Sequence, residues 1–288
     1  MIIKVMNSRA AADPALFYEA NQAWPDAVRR EVATHLREAL GPGPKRCLFL
    51  GAATGVNEAL PFARSAGPGD RILASDVDTA CLGRLRAQAG ALGLANVETR
   101  RIDITRDLDG LGAFDLVTLL FVIHRLEDWR PVVRPLAALV APGGSLFVSE
   151  FAGPCGLIHR SNERGGLGDD PVSRLIRRTF EISPIPFDPP LTSTRIGPVR
   201  ELLSVLLEPA GFRDFAWPQR ITVEGMLRRM EERAYAPYAA TAPSGELLER
   251  LRAEFERELS REVELMETIR LYRFARPATS SSGPAPAP

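Results

Sequence analysis

Three cysteines in 288 residues, Cys47, Cys81 and Cys155, cannot supply a disulfide framework. None forms a C-x-x-C pair, and the three histidines, His35, His124 and His159, are scattered, so no metal constellation is legible. No apolar run approaches the roughly 20 residues that a bilayer-spanning helix needs. The start, Met1 to Asn7, lacks the long apolar stretch of a secretory leader. Charge of one sign is missing too: 36 basic and 36 acidic residues cancel, and no basic block stands out. A surface that tracks nucleic-acid phosphates is therefore not expected. Lysine is nearly absent, with only Lys4 and Lys45; we read the arginine excess as coding bias. The expectation is a soluble cytoplasmic protein with no membrane and no nucleic-acid partner.

What is present is ordinary globular material, 45% hydrophobic and 25% charged, long enough for one large α/β domain with additions or two small ones. The chain is organised around residues 46–82. An apolar run, Cys47 to Leu50, ends in the small-residue turn Gly51-Ala52-Ala53-Thr54-Gly55. A helical stretch follows, and a second apolar run ends at Asp76. That is the first βαβ unit of a doubly wound sheet, with a ligand loop at the carboxyl end of the first strand. Small residues let backbone amides approach a ligand closely. Asp76 stands where an acid accepts hydrogen bonds from ribose hydroxyls, which makes the crevice one for a nucleoside-containing cofactor.

In chain order, residues 1–45 read as an N-terminal helical segment. Its main helix begins near Pro25, with Val28, Val32, Leu36 and Leu40 on one stripe. Residues 46–277 form the main domain. Strands are expected at 71–75, 97–102, 114–121 and 145–151, the last after the turn Ala141-Pro142-Gly143-Gly144, and their alternation with helices argues for a parallel sheet. Residues 152–197, rich in glycine and proline, break the rhythm; we read them as a lid or substrate-pocket insertion with a short helix over 172–180. Helices over 198–210 and 223–235 follow, with a strand through Trp217 between them. A helix from Ser244 carries its apolar stripe as far as Val263, and a last strand covers 267–274. Residues 278–288 read as a disordered tail.

These segments resemble the class I S-adenosylmethionine-dependent methyltransferases, closely over Leu48 to Phe151 and more weakly to Pro277. Leu48-Phe49-Leu50-Gly51-Ala52-Ala53-Thr54-Gly55 is similar to the family's glycine-rich first motif. The resemblance implies that Gly51, Ala53, Gly55, Asp76 and Val77 hold the cofactor, with Asp103 and Ile104 around the adenine and Leu120 against the methionine part. Tyr18 is implied at the cofactor carboxylate. It also implies a Rossmann-like, mostly parallel seven-stranded sheet in the order 3-2-1-4-5-7-6, with strand 7 antiparallel. Tyr18, Trp24-Pro25 and the late helices resemble the small-molecule subgroup around trans-aconitate methyltransferase. Two positions depart from the pattern: Phe49 stands where an acid is usual, and Ala53 where glycine is usual.

The implied reaction is methyl transfer from S-adenosylmethionine to a small-molecule acceptor, at oxygen. An in-line displacement on an activated donor asks the protein mainly to align and to exclude water. A hydroxyl acceptor also needs a base, for which His124, after the fourth strand, and His159, in the insertion, are the candidates. Glu150 ends a strand at the ligand edge and reads equally as structural. Asp78 reads as a helix cap and His35 as an exposed helix residue. Arg174, Arg177 and Arg178 read as a solvated face, with an anion site as the alternative. Other readings stay open: a non-catalytic cofactor-binding or scaffolding protein, suggested by Phe49 and Ala53, a methyltransferase acting on a peptide or protein, and a homodimer. A nicotinamide oxidoreductase fits less well, because Gly51 and Gly55 do not make G-x-G-x-x-G and neither lysine follows a tyrosine at the short-chain spacing.

Overall fold

The computed structural model describes residues 15, 19, 23–123, 126, 128–152, 168–182, 193–231 and 244–278. Apolar runs too dense for one wet face become the strands β1 (Arg46–Leu50), β2 (Arg71–Asp76), β4 (Phe114–Leu119) and β5 (Val140–Phe151). Their neighbours are β3 (Val97–Arg101), β6 (Glu208–Thr222) and β7 (Glu262–Ala275). The order is β3-β2-β1-β4-β5-β7-β6, with β7 antiparallel to both neighbours. This is the expected doubly wound, mostly parallel seven-stranded sheet.

Alternate residues of each central strand face opposite layers, as strands buried on both sides require. Cys47 and Phe49 pack under α1 (Asp26–Glu38), α2 (Ala59–Arg64) and α3 (Thr79–Ala91). Leu48 and Leu50 pack on the other side, with α4 (Arg130–Ala138) and α6 (Ser193–Leu206). Asp78 caps α3 as read, accepting from the amides of Ala80 and Cys81.

Several boundaries differ from expectation for physical reasons. The turn Ala141–Gly144 lies inside β5 as an irregularity: Phe114 pairs with Val140, but Leu116 pairs with Ser145. A Cβ on Gly144 would stand 2.9 Å from the carbonyl oxygens of Ala141 and Asp115, so only glycine fits there. Val263 belongs to β7 and not to the preceding helix, which is α8 (Gly245–Glu254), capped by Ser244. The charged run from Glu262 to Glu267 extends the strand because β6 offers it a ladder and cross-strand partners, Arg220 reaching both Glu262 and Glu264.

The longer β6–β7 ribbon matters for the site. Ile269 of β7 lies opposite Phe151, the last residue of β5, so residues 262–268 project past the carboxyl edge of the parallel strands. There they carry a separate small core made with α5 (Pro171–Ile182), α7 (Val223–Glu231) and α8. Val172, Ile176, Met226, Leu251 and Leu265 are among its members. The helix expected within the insertion is thus α5, and its apolar face is buried against α7 and α8. Its arginines are not an anion site: Arg174 bonds Glu258, Arg177 bonds Asp169 and Arg178 bonds Glu254.

Candidate active site

The loop after β1 takes its shape from three alternate left-handed residues, Gly51 (φ 68°), Ala53 (φ 47°) and Gly55 (φ 75°). Glycine is required at 51, where a Cβ would lie 2.3 Å from Val122 Cγ2, and at 55, where it would lie 2.8 Å from the Leu85 side chain. Ala53 holds a conformation that glycine adopts freely and alanine resists. Asp76 holds it there. Asp76 Oδ2 accepts from the Ala53 amide at 2.9 Å, and Oδ1 accepts from the Asp78 amide at 2.9 Å. The Ala52 amide donates to the Ser75 carbonyl at 2.8 Å. The loop is therefore tied to β2 and not to β1.

That bears on Phe49. Its ring is fully buried, 5.3 Å from the ring of Phe62, and it bonds the loop through no side-chain atom. The acid missing from β1 has a counterpart that sequence reading overlooked. Glu58, just ahead of α2, is buried and accepts from Thr118 Oγ1 at 3.0 Å. Thr118 is the residue of β4 paired with Phe49. Burial pushes the Glu58 carboxyl up to about 8, against a smaller pull downward from the Thr118 hydroxyl. At neutral pH it is mostly a neutral acid. A raised carboxyl binds its proton more tightly in the folded chain than in the unfolded one, so stability falls as pH rises from about 4.5 towards about 8 and then levels. The steepest slope is about 1.4 kcal/mol per pH unit. Urea unfolding at pH 6, 7 and 8 should show that decline, and Glu58→Gln should flatten it. An unchanged slope in the variant would remove Glu58 as the cause.

The cofactor residues inferred by resemblance divide in two. Gly51, Ala53, Gly55, Asp76 and Val77 come together at the carboxyl ends of β1 and β2, and Leu120 lies just past the end of β4, buried. Asp103 and Ile104 follow β3 on the same edge. The Asp103 carboxylate accepts from the amide and hydroxyl of Thr105. Burial pushes its carboxyl up, but the Thr105 bonds and Arg106 outweigh that and leave it below the usual carboxylate range. Ile104 packs in the core beside Ile102. Tyr18, His124 and His159 lie outside the described residues. Ala15 packs on Ala53 and Cys81, and Glu19 binds Arg84 and Gln88 of α3.

The other candidates are structural. Glu150 is buried and accepts from the Tyr272 hydroxyl. His35 is not exposed: its ring sits 5.5 Å from Phe147 and 5.7 Å from Phe215, and burial with Arg213 nearby lowers its pKa. Among the described residues no three His, Cys, Asp or Glu side chains converge on a metal position, and no helix is long and apolar enough to cross a membrane.

These residues fit a nucleoside sulfonium cofactor on two observations. Each Asp76 oxygen uses one lone pair on an amide, which leaves another for a ribose hydroxyl. Thr54 Oγ1 is buried in the loop with no hydrogen-bond partner among the described residues, an orphan that a polar ligand would satisfy. Asp76 is partly buried, and burial raises its pKa while the amide bonds pull it down.

Comparison with known proteins agrees. The family described as a methyltransferase domain matches residues 23–181, just over half of the chain. Demethylmenaquinone methyltransferase of Thermus thermophilus is 29% identical over 192 residues, which are 60% of this chain and 77% of that protein. The YcgJ protein of Bacillus subtilis shares the fold, with a TM-score of 0.52 at 16% identity over 85% of this chain and 97% of that one. The N-terminal domain of EvdMO1, solved with S-adenosylhomocysteine and D-fucose, is 27% identical over 45% of this chain, with a TM-score of 0.39; the match spans 53% of that structure. With the βαβ loop, Asp76 at the end of β2 and the strand order in place, the chain belongs to the methyltransferase-domain family and is a class I S-adenosylmethionine-dependent methyltransferase.

Proposed function

We propose that this methyltransferase acts on a small-molecule acceptor, at oxygen. The observation that carries the reading is the second core at the carboxyl edge. The β6–β7 overhang and helices α5, α7 and α8 build a cap that starts past the carboxyl end of β5. A cap at that place favours an enclosed acceptor over a long open groove, and enclosure is what a water-excluded displacement needs. The curated relative is named for demethylmenaquinone, itself a small molecule.

S-adenosylmethionine, when bound, supplies a methyl group already activated on a sulfonium sulfur. Asp76 fixes the ribose end, and the loop 51–55 brings its amides close. Val122, in contact range of Gly51, sets the spacing between the donor loop and the end of β4. With the cofactor bound, the ends of β1, β2 and β4 would align an acceptor hydroxyl with the sulfonium methyl and exclude water. The hydroxyl proton passes to a base, and we assign that role to His124, which follows Ile123 beyond β4, with His159 as the second candidate. His124→Ala should lower kcat by about 10²- to 10⁴-fold and remove the lower limb of the pH–rate profile, leaving cofactor affinity unchanged. Undiminished kcat would exclude His124 as the base. Methylation of peptides but of no small molecule would overturn the acceptor class.

A further inference from the structure

An aromatic corner stands between the donor loop and the cap. Phe121, two residues beyond β4, has φ 55°, a left-handed conformation in a bulky residue. Such strain persists only where the surroundings impose it, and it concentrates at sites that hold ligands. Here the Phe121 amide donates to Ser149 Oγ at 2.9 Å. The rotation turns the Phe121 ring onto that of Phe151, with centroids 4.3 Å apart and planes inclined by 36°. Trp24 meets Phe121 edge-on, at 5.8 Å and 76°. Trp24 is itself fixed, because its amide donates to Asn57 Oδ1 at 2.8 Å, which joins the N-terminal segment to the turn ahead of α2.

The position of the corner is specific. Val122, next after Phe121, is the residue that forbids a side chain at Gly51, so one end of the corner touches the donor loop. The other end, Phe151, closes β5 opposite Ile269, where the cap begins. Leu119 and Leu120 beneath are buried, whereas Phe121 and Phe151 are partly exposed. Filling a core would not demand a strained phenylalanine at the crossing of strand ends where α/β ligands bind. Offset ring stacking is directional, and a third ring extends such a stack readily.

We propose that the acceptor carries a flat aromatic ring that stacks on the Phe121–Phe151 pair, which the buried Trp24 backs edge-on, so that this pair selects the acceptor. The proposal rests on the small-molecule reading and names its chemical class. The test pairs each of a set of hydroxylated naphthalenes and benzenes with its ring-saturated analogue. The full chain is assayed for S-adenosylhomocysteine formation, and cofactor binding is measured by calorimetry in parallel. The aromatic members should be methylated with at least tenfold higher kcat/KM than their saturated partners. Phe151→Leu should raise KM for them about tenfold with little change in kcat or in cofactor affinity, and Phe151→Tyr should restore it. Equal use of saturated and aromatic partners, or an unchanged KM in Phe151→Leu, overturns the aromatic proposal and leaves the small-molecule reading standing. Cofactor binding with turnover of peptides alone overturns both.

Discussion

Asp76→Ala should weaken S-adenosylmethionine binding by roughly 30-fold or more, since two hydrogen bonds to a charged group are worth about 2–4 kcal/mol together. The geometry raises that expectation above a simple loss of ribose contacts. Asp76 also holds the Ala53 amide, and Ala53 is the loop residue with the least natural claim to its left-handed backbone. Without the carboxylate, the loop loses the bond that maintains that conformation, and the amides lining the crevice drift. Asp76→Asn is the informative companion. Its amide oxygen can still accept from Ala53, so it should retain loop order while losing charge, and should bind with intermediate affinity. Calorimetry on the three proteins separates the cases. An alanine variant that binds as tightly as wild type would show that the crevice does not seat a ribose on Asp76.

The second large effect is on stability. Asp70 precedes β2, and its side chain is fully buried. It accepts from Arg37 of α1 at 2.5 Å, from the Lys45 amide ahead of β1 at 2.8 Å, and from the Gly67 amide at 2.6 Å. One carboxylate thus joins the covering helix, the first strand and the turn into the second. Asp70→Ala would leave two partly buried amides and an arginine without their acceptor. Breaking a buried ion pair by removing one partner costs about 3–5 kcal/mol. Thermal unfolding should move down by on the order of 10 °C. Arg37→Ala should cost less, because Arg37 is partly exposed and the two amide bonds survive its loss. Equal and small shifts in the two variants would show that the junction is held by packing alone.

Phe49 and Ala53 argued from the sequence for a weakened cofactor site, and the structure answers each differently. Phe49 fills the core against Phe62, and the loop it does not hold is held from β2 by Asp76 and by the Ser75 carbonyl. Ala53 is strained as its sequence position implies. Neither change disturbs Asp76, whose carboxylate still accepts from the Ala53 and Asp78 amides.

What the sequence determined by itself is local in origin. Runs such as Phe114–Leu119 had to be buried on both faces, and small residues at 51–55 permitted a tight turn. An acid at the end of β2 lies where any parallel sheet of this winding collects its ligands. Those features follow from neighbours along the chain, so the alternation of strands and helices and the cofactor crevice were legible in the sequence alone. Other features needed residues distant in sequence to meet. Glu58 carries no signal in the sequence and gains its burial and its bond only where Thr118 arrives beside it. Val263 reads as the end of a helical stripe until β6 offers residues 262–266 a ladder. Arg174, Arg177 and Arg178 read as free cations until Glu258, Asp169 and Glu254 neutralise them. Trp24, Phe121 and Phe151 are ordinary aromatics apart, and become a corner only where the N-terminal segment, the end of β4 and the end of β5 converge. Periodicity records which face a residue prefers, but the identity of the residue across from it is fixed by chain packing, and so the aromatic corner and the small core beside β7 were decided by the tertiary structure alone.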